Sequence, residues 1–232
     1  MQNFFTRRVG ISALLASTLV ASLSACAPVV LGGVALGGIV AADRRTTGAQ
    51  VEDESIEIRA VNLLHGQYGD RAHVNITSYN RQVLLTGEVP TAADRQRAQE
   101  LIGSLENVRA VVNELAAMPP STLAQRSNDT FITGKVRASL VDAKDLTANS
   151  FKVVTERSVV YLLGRVTPRE AQRATSLASG VTGVTKVVRV FEPLTEEELA
   201  RMRIMRPDIV SNGSGNGSGN GSGNNGNSSS PR

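Results

Sequence analysis

The sequence predicts an α+β protein built from two tandem copies of one small αββαβ module. The first observation behind this prediction is an internal repeat: with Gly87 set against Gly164, residues 83–89 (VLLTGEV) match residues 160–166 (VYLLGRV). The second is that each copy passes from apolar residues with helical spacing to runs rich in β-forming residues. Each module is therefore expected to fold as a small three-stranded mixed sheet packed by two helices.

Each copy begins with a predicted helix. Apolar residues recur at positions i, i+4 and i+8, which places them on one helical face. These residues are Ile56, Ala60 and Leu64 in the first copy and Ile132, Val136 and Leu140 in the second. Both stripes are predicted to face the core of their own module.

A β-hairpin is predicted after each first helix. Two β-rich runs are separated by two polar residues, Asn80 and Arg81 in the first copy and Arg157 and Ser158 in the second. A short polar turn between two such runs is typical of a hairpin. The predicted strands are residues 73–79 and 82–89, and residues 151–156 and 159–166.

A second helix and a final strand complete each copy. Thr91 and Thr167 are predicted N-caps, with Asp94 and Glu170 at the third helical position and Pro168 at the first position of the later helix. The final strands are predicted over residues 110–115 and 185–191.

Composition shifts give the predicted organisation of the whole chain. Thr195 and Glu198 form a capping box that opens a further helix over residues 196–206, which Pro207 ends. The last residues are nearly all Asn, Gly and Ser and are expected to form a disordered coil. The predicted segments are a signal peptide (1–25), a lipidated Cys with a Gly-rich linker (26–50), domain 1 (51–118), domain 2 (126–193), a C-terminal helix (194–210) and a disordered tail (211–232).

The N-terminus is typical of a bacterial lipoprotein. Arg7 and Arg8 precede an apolar stretch, and residues 23–26 (LSAC) resemble the lipobox, in which the cysteine is lipidated. Cys26 is the one cysteine of the chain, and the alternative interpretation is a small buried core residue. Acyl and diacylglycerol groups on Cys26 are sufficient for stable anchoring. Because Ala27 stands where an Asp retains lipoproteins at the inner membrane, we expect a periplasm-facing anchor in the outer membrane.

The charge balance argues against nucleic acid as a partner. The chain has 25 Lys and Arg residues, and loss of Arg7 and Arg8 with the signal peptide leaves 23 basic against 21 acidic side chains. A nearly neutral mature chain without a long basic run does not predict binding to a polyanion of that kind.

No sequence motif predicts catalysis. Hydrolase, phosphate-loop and zinc-protease patterns are missing from the sequence, so we expect no enzyme activity, no catalytic residue and no cofactor beyond the lipid on Cys26. His65 and His73 are the two histidines and form a weak candidate for a metal or acid–base pair. The simpler interpretation is two ordinary surface histidines, so no metal site is predicted.

The repeat also resembles a known family. Two αββαβ units, each with a glycine flanked by apolar residues in the second strand of the hairpin, look like BON domains over about residues 43–193. Residues 43–50 (DRRTTGAQ), 83–87 (VLLTG) and above all 127–137 (SNDTFITGKVR) are similar to the dual BON-domain outer-membrane lipoproteins. The resemblance implies tandem BON-type domains without known catalysis.

The same resemblance implies a function. It implies recognition of anionic phospholipids through the first helix of the second domain, and support of envelope integrity. On this sequence the implied phospholipid-binding residues are Phe131, Ile132, Lys135 and Arg137. The chain departs from relatives in carrying Phe131 where a tryptophan is common, and Gly134 within the helix.

The residues themselves favour the same surface. In the repeat alignment Phe131 falls opposite Ser55, so the fold does not require an aromatic residue there. Lys135 follows one helical turn later, with Arg137 nearby, which gives an apolar anchor flanked by cations. The alternative is that Phe131 packs against the first domain or the C-terminal helix and that Lys135 is only solvated.

A second function stays open at this point. The chain could instead be a periplasmic adaptor that binds outer-membrane assembly or cell-wall proteins, with the lipid acting only as a tether. Replacing Phe131 distinguishes the two hypotheses, because lipid association depends on that side chain only in the first.

Overall fold

The computed structural model describes residues 43–205, which contain two consecutive αββαβ units and one further helix. Domain 1 consists of α1 (Thr47–Tyr68), β1 (His73–Tyr79), β2 (Gln82–Val89), α2 (Ala92–Gly103), β3 (Ala110–Asn113) and β4 (Ala116–Ala117). Domain 2 consists of α3 (Leu123–Asp142), β5 (Phe151–Glu156), β6 (Val159–Val166), α4 (Pro168–Ser179) and β7 (Lys186–Pro193), and α5 (Glu196–Met205) follows it. The predicted α+β fold is confirmed. The predicted signal peptide, Cys26 and the tail lie outside the described residues.

Both sheets have the same mixed topology. In domain 1, β2 pairs antiparallel with β1 and parallel with β3 and β4. In domain 2, β6 pairs antiparallel with β5 and parallel with β7. A parallel last strand requires a crossover, which α2 and α4 provide.

The final strand of domain 1 differs from its prediction. Residues 110–115 were expected to form one strand, but the structure has β3 and β4 with a break between them. The register on β2 is the same on both sides of the break. The break faces Gly87 of β2, which has a φ of 103°, whereas β7 pairs continuously with β6.

Each domain has its own core. The predicted helical stripes are buried: Ile56, Ala60 and Leu64 of α1 pack on alternate residues of β2, and Ile132, Val136 and Leu140 of α3 pack on alternate residues of β6. A third apolar cluster joins the two sheets. It contains Tyr79, Leu84, Tyr161, Leu163 and Val190. The opposite faces of the two sheets therefore pack against each other.

A buried aspartate on each first helix holds the hairpin of its own domain. Both turns, residues 80–81 and 157–158, have two consecutive positive φ angles, as in type I′ hairpins. Asp53 accepts both backbone N–H groups of the first turn at 2.7 Å, and Asp129 accepts both of the second at 2.8 Å. These carboxylates compensate for turns that contain no glycine.

The segment before α1 is attached to domain 2. The buried Arg44 guanidinium donates to both carboxylate oxygens of Glu170 at 2.8 and 2.7 Å, and to the carbonyl of Arg165 at 2.9 Å. Glu170 also forms a capping box with Thr167, the predicted N-cap of α4. Burial alone would raise the pKa of Glu170, but the hydrogen bonds from Arg44 and from the Thr167 N–H, together with the Arg44 charge, lower it below its usual range.

Candidate membrane-binding surface

Helix α3 has one face in the core of domain 2 and one face in solvent. Thr122 caps its N-terminus in a reciprocal capping box with Gln125. The i, i+4, i+8 stripe points inward, so the residues between the stripe positions form the outer face. The predicted lipid-binding residues therefore divide between two environments.

Phe131 lies on the outer face and is 65% exposed. The ammonium group of Lys135 lies 4.9 Å from the centroid of the Phe131 ring, within the range of a cation–π contact, and it also donates a hydrogen bond to the carbonyl of Thr182. An aromatic ring with this exposure is not packed against domain 1 or α5. The structure thus brings Phe131 and Lys135 together on an open surface.

Arg137 lies on the same helix and is also exposed. One guanidinium nitrogen lies 3.4 Å from the carbonyl of Val153. Arg137 lines a cleft of about 330 Å³ together with Asp43 and Val141. The start of the described chain and the outer part of α3 therefore border one cleft.

Ile132 does not belong to this surface. It was expected to contact lipid, but it is 1% exposed and packs in the core of domain 2. The reason is its place in the i, i+4, i+8 stripe, which the sequence already indicated. Its assignment to the phospholipid-binding set is corrected to a core role.

Two further large apolar residues of α3 are exposed, and the sequence alone did not single them out. Leu123 and Val141 stand at opposite ends of the helix, about five turns apart, and are among its most exposed side chains. Their exposure could have been recognised from their positions outside the buried stripe.

Exposed apolar residues alone do not distinguish α3 from α1, because Val51, Ile58 and Val61 of α1 are exposed as well. The charges of the two helices do distinguish them. Helix α1 contains four acidic residues and one Arg, whereas α3 contains three Lys or Arg residues and two acidic residues; one aspartate of each helix, Asp53 and Asp129, is buried. An anionic surface would repel α1 and attract α3.

The two histidines occupy different environments. His65 is exposed on α1. His73 lies in β1 beside the buried carboxylates of Glu88 and Glu156. No sequence spacing indicated this group, because its members come from both repeats.

A family model for the BON domain matches the chain twice, at residues 58–119 and 128–192. The two matches cover more than half of the chain, and each begins within the first helix of one of the two αββαβ units. The chain therefore belongs to the BON-domain family.

Two relatives indicate which kind of BON-domain protein this chain is. The outer membrane lipoprotein DolP of Haemophilus influenzae is 38% identical over 174 residues, which cover 74% of this chain and 90% of the relative. A protein named 21 kDa hemolysin from Actinobacillus pleuropneumoniae is 35% identical over 151 residues, covering 64% and 78%. This chain is accordingly a dual BON-domain outer-membrane lipoprotein of the DolP family.

A solved structure is also similar over part of the chain. The C-terminal domain of CdsD, a type III secretion protein of Chlamydia trachomatis, covers 60% of this chain and 97% of its own, at 12% identity and a TM-score of 0.26. No conclusion rests on so low a score. Within residues 43–205, no helix has the length and hydropathy needed to cross a membrane.

Proposed function

We propose that this protein is anchored in the outer membrane through lipid on Cys26, binds anionic phospholipids through the outer face of α3, and thereby supports envelope integrity. It acts by binding and not by catalysis. In line with this, the matching family and the H. influenzae relative are named for a domain and a lipoprotein, not for an enzyme.

The observation that carries the proposal is the pairing of exposed Phe131 with Lys135 on the more basic of the two equivalent helices. An aromatic ring can enter the boundary between headgroups and acyl chains, and a cation beside it attracts the phosphates. Arg137 adds a second cation on the same helix. Each of these cations contributes about 1 kcal/mol to the free energy of binding to an anionic bilayer.

The path of the chain supports a common orientation toward the bilayer. Asp43 and Arg137 line the same cleft, so the segment that leads from Cys26 reaches the body of the protein near α3. Residues 27–42 could extend over at most about 55 Å. An anchor on this tether keeps α3 at a high local concentration of lipid, so modest contacts are sufficient for binding.

The test is vesicle binding by the chain from residue 26 onward, carrying Cys26→Ser so that no lipid is attached. We expect binding to vesicles that contain phosphatidylglycerol or cardiolipin and little binding to pure phosphatidylcholine. The double variant Phe131→Ala, Lys135→Ala should bind at least about tenfold more weakly, since it loses both an apolar insertion and a charge. Ile58→Ala, an exposed apolar position of α1, is the matched control and should bind normally.

A folded chain that binds neither type of vesicle would refute the proposal. Equal binding to neutral and anionic vesicles would remove the role of charge. If the chain binds neither type of vesicle, the lipid on Cys26 would be the sole membrane contact. The adaptor hypothesis, with a protein partner in the periplasm, would then replace the proposal.

A further inference from the structure

A buried group of ionisable residues lies where the two domains meet. Glu88 of β2 and Glu156 of β5 are 1% and 2% exposed, although they belong to different domains. His73 of β1 lies beside them, with its Nδ1 atom 3.2 Å from Glu88 Oε2. One candidate ligand atom from each of the three residues falls within 4.8 Å of the others.

Each carboxylate has one oxygen bonded and one oxygen without a hydrogen-bond donor. Glu88 Oε2 accepts the Ser121 N–H at 3.0 Å, and Glu156 Oε2 accepts the Asn75 side-chain amide at 2.6 Å. Glu88 Oε1 and Glu156 Oε1 are buried and receive no hydrogen bond within the described residues. A buried carboxylate oxygen in this state is unfavourable unless positive charge lies close by.

The guanidinium of Arg157 lies beside this group of residues but does not hydrogen-bond to the unbonded oxygen of Glu88. Arg157 Nε lies 3.6 Å from Glu88 Oε1, but the two atoms do not form a hydrogen bond. Glu88 thus lies beside a guanidinium that does not hydrogen-bond to it and whose side chain is 30% exposed. A further cation would therefore stabilise the two buried carboxylates.

The donor types and the separation of His73 from Glu88 fit zinc. Two ligands of a tetrahedral Zn²⁺ ion, each bonded at about 2.0–2.1 Å, lie about 3.3 Å apart, close to the His73–Glu88 separation. One imidazole nitrogen with two carboxylate oxygens is a ligand set that Zn²⁺ accepts, whereas Ca²⁺ and Mg²⁺ prefer oxygen ligands alone. Asn75 and the Ser121 N–H would then orient the ligating carboxylates.

A path to the group is available. A cleft of about 290 Å³ is lined by His73, Glu156 and Asp129, so an ion and its water molecules can reach two of the three ligand residues from solvent. Water from this cleft can supply the fourth ligand of a tetrahedral site.

We propose that His73, Glu88 and Glu156 bind one Zn²⁺ ion that links domain 1 to domain 2. The ion lies between His73 and Glu88, adds positive charge beside the Glu88 carboxylate and satisfies the unbonded oxygen of Glu156. Because two ligands come from domain 1 and one from domain 2, binding strengthens the contact between the sheets.

Calorimetric titration of ZnCl₂ into the untagged chain from residue 26, carrying Cys26→Ser and freed of metal with a chelator, tests the proposal. One Zn²⁺ ion should bind per chain, while CaCl₂ and MgCl₂ should give no comparable heat. His73→Ala and Glu156→Gln should each weaken Zn²⁺ binding by at least about 100-fold, because each removes a direct ligand. Arg157→Ala should tighten it, because a competing cation is lost.

His65→Ala is the matched control, since it removes an exposed histidine and should leave zinc binding unchanged. The midpoint of thermal unfolding of the same chain, without substitutions in the proposed site, should also rise with Zn²⁺. This measurement tests the proposal even if a variant fails to fold. Failure to bind one Zn²⁺ ion saturably would overturn the proposal, as would wild-type affinity in His73→Ala. Loss of binding in His73→Ala with full binding in Glu156→Gln would overturn the link between domains.

Discussion

Helices α1 and α3 occupy the same place in the two halves of the molecule but present different outer faces. Both bury an i, i+4, i+8 apolar stripe, and both carry an aspartate that holds a hairpin turn. On α1, Glu57 is paired with Lys152 of domain 2 at 2.8 Å. On α3, Lys135 lies against an exposed aromatic ring. The inner face of the repeated helix has kept one role, while the outer faces differ.

The buried face of a repeated helix and its outer face can therefore change independently of each other. Substitutions at the equivalent glycines, at the third position of the second helix or in the hairpin turns should lower the free energy of unfolding in both halves. Substitutions on the outer face should affect only membrane binding, and only in domain 2.

The largest effect is expected at the equivalent glycines of β2 and β6. A Cβ atom at Gly87 would lie 2.1 Å from the carbonyl oxygen of His73, at a φ of 103°, whereas at Gly164 it would lie 2.5 Å from the carbonyl of Ser150. Gly87→Ala should lower the free energy of unfolding by about 5 kcal/mol and Gly164→Ala by less, because only the first also has a strained φ. Urea denaturation measures both, with Gly66→Ala, where a Cβ meets nothing within 4 Å, as the control.

The next effect concerns the attachment of the first segment to domain 2. Arg44→Ala leaves the Glu170 carboxylate buried without its ion pair and should lower the free energy of unfolding by about 3–5 kcal/mol. Asp94 occupies the equivalent N3 position in domain 1 and is only half-buried, so Asp94→Asn should have a much smaller effect. Chemical denaturation of the two variants gives this comparison directly.

The same ion pair predicts a dependence on acid. The folded-state pKa of Glu170 is lowered, so the stabilisation is complete above its usual pKa of about 4.3 and is lost as the pH falls through the folded value. Stability of the wild type should therefore fall below about pH 4.3 more steeply than that of Glu170→Gln. Parallel curves for the two proteins over this range would contradict the role of the ion pair.

A smaller effect is expected when the outer faces are exchanged. In the double variant Phe131→Ser, Ser55→Phe, vesicle affinity should fall at least about tenfold and should not be restored by the new aromatic, because the acidic residues of α1 repel anionic lipid. The free energy of unfolding should change by only about 0.5 kcal/mol, since both positions are exposed. Restored binding would show that an exposed aromatic is sufficient whatever its charge environment.

The smallest effect is expected at Gly134 of α3. A Cβ at this position meets nothing within 4 Å, so Gly134→Ala should stabilise the protein by about 0.5–1 kcal/mol through helix propensity alone. Vesicle binding should be unchanged. A rise in the midpoint of urea denaturation without a change in lipid affinity is the expected result.

The sequence was informative wherever a local pattern set the structure. Helical spacing, the strand-turn-strand runs and the threonine N-caps predicted the elements closely, because each depends on neighbouring residues. The interruption of the predicted strand over residues 110–115 was missed, since it concerns the pairing of that segment with β2, which is distant in the sequence. Ile132 was assigned to the surface although its own spacing placed it in the core.

Polar contacts across the structure were not predictable in the same way. The turn contacts of Asp53 and Asp129 join residues about 28 positions apart, and the group of His73, Glu88 and Glu156 joins two domains. Such contacts have no period or spacing in the sequence. The alignment of the repeats would have indicated the aspartates, since Asp53 and Asp129 are equivalent residues.

The most direct test of the central claim uses tryptophan, which the sequence lacks. Phe131→Trp and Ser55→Trp place a single fluorophore at equivalent positions of α3 and α1. With vesicles that contain phosphatidylglycerol and brominated acyl chains, the Phe131→Trp variant should shift its emission to shorter wavelength and be quenched, whereas the Ser55→Trp variant should do neither. Equal quenching at both positions, or none at position 131, would contradict the claim that α3 is the helix that contacts the membrane.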